Sequence, residues 1–249
     1  MEIPKIIIDK LKIAKNIVIL SGAGMSAESG VSTFRDPDGL WAKFSPTELA
    51  SMDGFMSNPQ LVWDWYSMRL NVINNVSPNN GHKAVAEMEK YFDDVTVITQ
   101  NVDKLHQRAG SKKVYELHGN IVENYCSKCH EPFTKSILEL DKEIPKCEHC
   151  GGYIRPAVVW FGEELPQKAF KESVIASQKA DIMFVIGTSG EVYPAAQLPF
   201  NAKNSGAFVV EINPNHTALS QYLDISIHEP SGVAMPKILE NYLIERGRK

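Results

Sequence analysis

Ile17-Val18-Ile19-Leu20 runs directly into Ser21-Gly22-Ala23-Gly24-Met25-Ser26-Ala27. A short, wholly apolar run ending in a glycine turn reads as a strand buried on both faces, the pattern of a parallel sheet. The turn fits G-x-G-x-x-G/A. Its first glycine makes a tight bend, and its second admits close backbone approach. A small third residue then lets a helix pack on the strand with its N-terminus toward an anionic pyrophosphate. A strand-to-helix turn with no ligand satisfies the same residues, so the motif alone leaves dinucleotide binding open.

Working outward, apolar runs recur at Val95–Ile98, Ile182–Ile186 and Ala207–Ile212. Helical patterns at Ile6–Lys15, His82–Tyr91 and Gln167–Lys179 lie before and between them. Alternating strands and helices predict an α/β fold, a mostly parallel sheet with crossover helices on both faces. Two stretches interrupt this. Asp38–Pro78 is rich in Trp, Met and Asn and reads as short helices inserted after the first turn. Asn120–Ile154 holds every cysteine and few large aliphatics outside Ile137–Leu140, so it reads as a small module in need of a staple.

Those cysteines follow the pattern Cys126-x2-Cys129-x17-Cys147-x2-Cys150. Two knuckles at this spacing bring four thiolates to one tetrahedral metal, and the reading is a structural zinc with no open position. A redox pair or a nucleic-acid ribbon is the alternative, but residues 130–146 are not markedly basic. The whole chain has 249 residues, with 26 Lys and Arg against 30 Asp and Glu, a net charge of −4. That balance offers no overall basic footprint for nucleic acid. No apolar run nears the roughly 20 residues that span a bilayer, and Met1–Lys5 is not expected to begin a signal peptide. With clustered thiols in place of disulfides, the expected location is cytoplasmic.

Each predicted strand hands small polar residues to one sheet edge. They are Thr99-Gln100-Asn101-Val102-Asp103, Gly187-Thr188-Ser189 and Asn213-Pro214-Asn215, joined by His118-Gly119 after the short run Val114-Tyr115. Ligands of open α/β sheets sit at that edge, and four such loops suit an extended polar ligand. His118, in a turn ahead of the cysteine module, is a candidate general base. The strand ending in Asp or Glu about 20 residues beyond the glycine turn, expected of a dehydrogenase, is absent, which argues against hydride transfer.

Taken in order, Gly22-Ala23-Gly24-Met25-Ser26, Phe34-Arg35, Gln100-Asn101-Val102-Asp103, His118-Gly119, the four cysteines, Phe161-Gly162-Glu163, Gly187-Thr188-Ser189 and Asn213-Pro214 resemble the motifs of the sirtuins, NAD-dependent protein lysine deacylases. The resemblance implies a Rossmann-like NAD-binding domain (1–37, 81–119 and 155–249) and a smaller part made of a helical module (38–80) and a zinc ribbon (120–154). It implies NAD phosphates at Gly22, Ala23, Gly24, Ser26 and Ala27, with Phe34 and Arg35 over the nicotinamide ribose. Asn101 and Asp103 would line the nicotinamide pocket, Asn101 also serving catalysis, and Gln100 would take the ribose hydroxyls. Gly187, Thr188, Ser189, Asn213, Asn215 and Ser231 would hold the adenosine half. An acyl-lysine peptide would add as a strand between Val159–Glu163 and Gly190–Val192, touching Val159, Phe161, Gly162, Glu191 and Val192. His118 would take a proton from a ribose hydroxyl, and the acyl group would leave as 2′-O-acyl-ADP-ribose. One structural zinc would sit on Cys126, Cys129, Cys147 and Cys150.

Many sirtuins carry Pro and Asp where this chain has Ser32 and Thr33. Tyr66 and Arg69, spaced i, i+3 on one helix face, match the Tyr-x-x-Arg of sirtuins that remove acidic acyl groups, with Ala27 alongside. That match implies desuccinylase and demalonylase activity beside deacetylation. Neither a membrane nor a nucleic-acid partner is implied. Transfer of ADP-ribose to protein, or a non-catalytic nucleotide sensor built on a zinc ribbon, would use many of the same residues.

Overall fold

The computed structural model describes residues 2–33, 45–135 and 144–247. In chain order the elements are α1 (Lys5–Ile13), β1 (Asn16–Ser21), α2 (Gly24–Ala27), α3 (Pro46–Leu49), α4 (Met52–Ser57), α5 (Pro59–Asn75), α6 (Asn80–Met88), β2 (Asp94–Thr99), α7 (Leu105–Ala109) and β3 (Val114–Glu116). They continue with β4 (Gly119–Cys126), β5 (Pro132–Phe133), β6 (Ile154–Val158), α8 (Gln167–Lys179), β7 (Ile182–Ile186), α9 (Leu198–Asn204), β8 (Phe208–Ile212), β9 (Ile225–Ile227) and α10 (Ser231–Arg246).

Six strands form one parallel sheet in the order β3-β2-β1-β7-β8-β9. Because successive side chains alternate between faces, a run such as Ile17–Leu20 must be apolar throughout to be buried on both. Ile17 and Ile19 join Val97, Phe184 and Val210 under α1, α6 and α10. Val18 and Leu20 join Ile98, Met183 and Val209 on the opposite face, against α9 and the apolar side of α8. The fold class read from the sequence is the observed one.

A third core lies outside this sheet. Leu49, Phe55, Val62, Trp63 and Tyr66 of the inserted helices pack with Ile121, Cys126, Ile154 and Trp160 around the antiparallel sheet β5-β4-β6. Trp63 Nε1 donates to the Ile154 carbonyl at 3.0 Å, tying α5 to the cysteine-bearing strands. The helical and cysteine segments therefore share one interior. Among the described residues, no helix is long and apolar enough to cross a membrane.

Some expectations need correction. The inserted segment is not made of short helices alone, because α5 runs for 17 residues from a side-chain cap at Asn58 with Pro59 at its first position. The helix after the glycine turn is a single turn, too short to present a developed dipole to a phosphate. α1 spans Lys5–Ile13, not Ile6–Lys15, and β1 starts at Asn16, where Asp181 Oδ2 accepts from the Lys15 and Asn16 amides. α6 starts at Asn80, not His82, because the Asn79 side chain accepts from the Gly81 and His82 amides. Residues 34–44, which take in Phe34, Arg35 and the start of the inserted helical segment, and the aliphatic run 137–140 lie outside the described residues.

Candidate active site

In the strand order, β1 lies between β2 and β7, so the chain leaves β1 in one direction and returns on its other side. Crevices that bind ligands open at such a switch point, beyond the carboxyl ends of the strands. Gly22-Ala23-Gly24 follows β1 there, and Gly187-Thr188-Ser189 follows β7. Gly22 N donates to the Ile186 carbonyl and Gly24 N to the Gly187 carbonyl, both at 2.9 Å. A Cβ on Gly24 would sit 2.8 Å from Gly187 Cα, and one on Gly187, at φ +60, 2.4 Å from Met25 N. The glycines make room for each other's backbone, a contact that the sequence motif assigned to a ligand.

Beside this junction the loop after β2 folds inward. Asn101 Nδ2 donates to the Gly22 carbonyl at 2.9 Å and to Ser26 Oγ at 3.1 Å. Ser26 Oγ donates to Asp103 Oδ2 at 2.7 Å, and Asp103 Oδ1 accepts the Leu105 amide. Burial pushes the Asp103 carboxyl above its ordinary range, opposed by the Ser26 hydroxyl. Gln100 Nε2 donates to Thr188 Oγ1 at 3.0 Å, and Asn213 Nδ2 donates to the Thr188 carbonyl at 3.2 Å. Loops after β1, β2, β7 and β8 thus form one stitched edge. Ser189 is half-buried on it and Asn215 is exposed.

Two sequence-selected residues sit apart from this web. Ala27 is exposed on α2, and Ser231 is buried, its hydroxyl on Glu28. Phe34 and Arg35 lie outside the described residues.

His118 Nδ1 lies 3.1 Å from the Gln100 carbonyl. A carbonyl only accepts, so Nδ1 carries the proton and Nε2 the lone pair. Burial lowers the imidazole pKa, partly offset by that hydrogen bond, so the ring is neutral at neutral pH. Gly119, at φ +67, places the turn so close to β6 that a Cβ would meet the Ala157 carbonyl at 2.0 Å.

A support layer escaped the sequence reading. His106 Nε2 lies 2.9 Å from Ser21 Oγ, which donates to Thr99 Oγ1, and that oxygen accepts the Asn101 amide. The His106 ring meets His82 edge-on at 4.8 Å. Burial lowers both histidines, His82 to about 4, so both are neutral. Ser21 and Thr99 ending adjacent strands in register were the available signal.

Tyr66 and Arg69 are both buried on α5. The Tyr66 oxygen accepts from Trp160 Nε1 at 2.8 Å. Burial lowers the Arg69 pKa to about 10, still protonated at neutral pH, and its charge is felt by Tyr66 and Asp103. The segment after β6 is held at several residues. Val159 N donates to the His118 carbonyl, Trp160 N to Glu163, and Phe161 N to the Ala50 carbonyl. Glu163 pairs with Arg155. Phe161, Gly162, Glu191 and Val192 are exposed, and neither peptide-flanking segment is a strand here.

The four cysteine sulfurs lie within 4.8 Å of one another. Cys126 and Cys150 Sγ are 3.4 Å apart and Cys129 and Cys147 Sγ 3.7 Å. Zn–S bonds of about 2.3 Å in a tetrahedron put sulfurs roughly 3.8 Å apart, so the donor set fits one closed zinc site. Gly151 turns at φ +71, and a Cβ on Gly152 would approach Cys126 Sγ at 2.9 Å. The small polar side chains of the sheet edge likewise suit an extended, hydroxyl-rich ligand such as NAD.

Residues 22–194 match the model of the Sir2 family. The chain belongs to the Sir2 family. An NAD-dependent protein deacylase of Aquifex aeolicus is 50% identical over 231 residues, covering 93% of this chain and 96% of the relative. One of Mycobacterium tuberculosis is 49% identical, covering 90% and 96%. A Sir2 homologue solved with ADP-ribose superposes with a TM-score of 0.93 at 38% identity, covering 99% of both chains. A Sir2 complex with a p53 peptide and NAD+ gives 0.86 at 34%, covering 98% and 100%.

In this Sir2-family chain the cysteine site is welded to the third core, so losing a ligand propagates. Cys147→Ala is expected to abolish zinc binding, about one ion per chain in the parent, and to lower the melting temperature. Metal analysis with calorimetry checks this. Parent protein purified without zinc yet equally stable would contradict it.

Proposed function

We propose that this chain is an NAD-dependent protein lysine deacylase whose Tyr66 and Arg69 extend its range from acetyl to succinyl and malonyl groups. The observation that carries the activity is the set His118, Gln100, Asn101 and Asp103 at the switch point of a chain half identical, over nearly its whole length, to relatives named as such deacylases. In this reading 1–37, 81–119 and 155–249 form the NAD-binding domain. The segments 38–80 and 120–154 form the smaller domain, with substrates in the cleft between. The enzyme works in the cytoplasm on acyl-lysine proteins, its net charge giving no cause to invoke nucleic acid.

Gly22, Ala23, Gly24, Ser26 and Ala27 hold the NAD phosphates, and Gln100, Asn101 and Asp103 hold the nicotinamide riboside end. Gly187, Thr188, Ser189, Asn213, Asn215 and Ser231 hold the adenosine end, and Phe34 and Arg35 cover the ribose. NAD would supply the ribosyl group that accepts the acyl chain; with one water consumed, the products are nicotinamide, free lysine and 2′-O-acyl-ADP-ribose. The segments Val159–Glu163 and Gly190–Val192 receive the peptide and align its acyl oxygen, converting a bimolecular encounter into an oriented one. His118 Nε2, with its lone pair fixed by the Gln100 contact, takes the ribose hydroxyl proton.

Nicotinamide release that requires acyl-lysine peptide tests this reading, and His118→Ala should cut deacylation of the peptide by about 10²–10⁴. Because protonation silences the base and burial lowers its pKa, kcat/KM should hold as pH falls to about 6.5, the ordinary histidine value, and decline only below it. An acid limb at or above that value would contradict the assignment.

Arg69 contributes a buried cation that a succinyl carboxylate can use and an acetyl methyl cannot. Arg69→Met should raise KM for succinyl-lysine peptide about 10- to 100-fold, the worth of a charged hydrogen bond. The acetyl-lysine KM should change far less. Equal effects on both peptides, or no succinyl activity in the parent, would contradict it.

A further inference from the structure

We propose that Trp160 is a positioning residue for acyl selectivity, because its indole N–H dictates the direction in which the Tyr66 hydroxyl can donate. The inference rests on the reading of Tyr66 and Arg69 as the acyl pocket. An indole N–H can only donate, so at 2.8 Å the Tyr66 oxygen must accept from it. The single phenolic proton then points elsewhere. Tyr66 is 2% exposed, and among the described residues no acceptor meets that proton. A buried O–H without a partner is costly, and a carboxylate at the tip of an acyl chain supplies the missing acceptor. An acetyl methyl supplies none. Burial holds the phenol pKa at about 12, so the proton is present at neutral pH.

The donor is itself immobilised. Trp160 N donates to Glu163 Oε2 at 2.8 Å, and the Trp160 carbonyl accepts from Glu163 N at 3.0 Å. The Arg155 guanidinium lies 3.4 Å from the centre of the indole ring while bonded to Glu163 and to the Val158 carbonyl. Val159, one residue before, hangs from the His118 carbonyl. The indole therefore aims the Tyr66 proton from the same short segment that is fastened to the general-base loop. An acyl group reaching that segment meets a donor already set at the pocket.

The test is a double-mutant cycle on acyl preference. Trp160→Phe keeps a ring under Arg155 and removes the N–H, and Tyr66→Phe removes the hydroxyl. For the parent, both single variants and the double variant, kcat and KM are measured with succinyl- and acetyl-lysine peptides. Trp160→Phe should lower the succinyl-to-acetyl ratio of kcat/KM about five- to tenfold, through KM, as expected for one hydrogen bond. The double variant should fall no further than Tyr66→Phe alone, because the indole acts through the hydroxyl. If Tyr66→Phe lowers the ratio and Trp160→Phe does not, or if their effects multiply, the role of Trp160 is overturned and the pocket reading stands. If Tyr66→Phe leaves the ratio unchanged, the pocket reading falls first and this inference with it. Should Trp160→Phe fail to fold, the benzothiophene analogue of tryptophan at position 160 keeps the shape, lacks the N–H and faces the same outcomes.

Discussion

Backbone packed directly on backbone, where the turn after β1 meets the turn after β7, is the constraint on which the rest of the site depends. Gly24 and Gly187 touch with no side chain between them, and a Cβ on either would sit 2.8 Å or less from the other turn's main chain. Closing that gap leaves the Gly22 carbonyl for Asn101, and Thr188 for Gln100 and Asn213. Four loops from four strands are thereby fixed relative to one another before any ligand arrives. Such preorganisation is what an enzyme needs when its chemistry consists largely of holding a weak nucleophile beside an electrophile.

A third core and its antiparallel sheet lie beside the parallel sheet, and Val159–Glu163 follows β6 out of them. That core is shared by α5 and the antiparallel strands, and the cysteine site closes one end. Tyr125 pairs across the strands with Arg155, and Cys126 with Ile154. Arg155 then braces Glu163 and Trp160, and Trp160 reaches Tyr66. The cysteine site is thus joined to Tyr66 through packed, hydrogen-bonded groups. A closed zinc site in this role supports geometry, and in the proposed mechanism the proton work falls to His118.

Much of this was legible in the sequence, for reasons that differ by element. Ile17–Leu20 and Ile182–Ile186 declared themselves because burial on both faces demands unbroken apolar residues. The cysteines declared a metal because two knuckles at that spacing have few other uses. The short edge strands Val114–Glu116 and Ile225–Ile227 gave little periodicity, since three residues with one exposed edge can be mixed in character. α5 was under-read because its face is lined by Trp63, Tyr66 and Arg69, where an ordinary amphipathic helix shows aliphatics. Pairings between distant residues were the least visible. Trp160 and Tyr66 stand 94 positions apart, and His106 and Ser21 stand 85 apart. No local pattern marks such partners, because a buried donor and its acceptor are chosen by the fold.

The central claim is that the cleft passes an acyl group from lysine to the ribose of NAD. Mass spectrometry of a single turnover with a succinyl- or acetyl-lysine peptide and NAD asks directly which molecule carries that group. The expected result is acyl-ADP-ribose in equal amount with nicotinamide and free lysine peptide. ADP-ribose left on protein, or free acid released while NAD stays intact, would contradict the account.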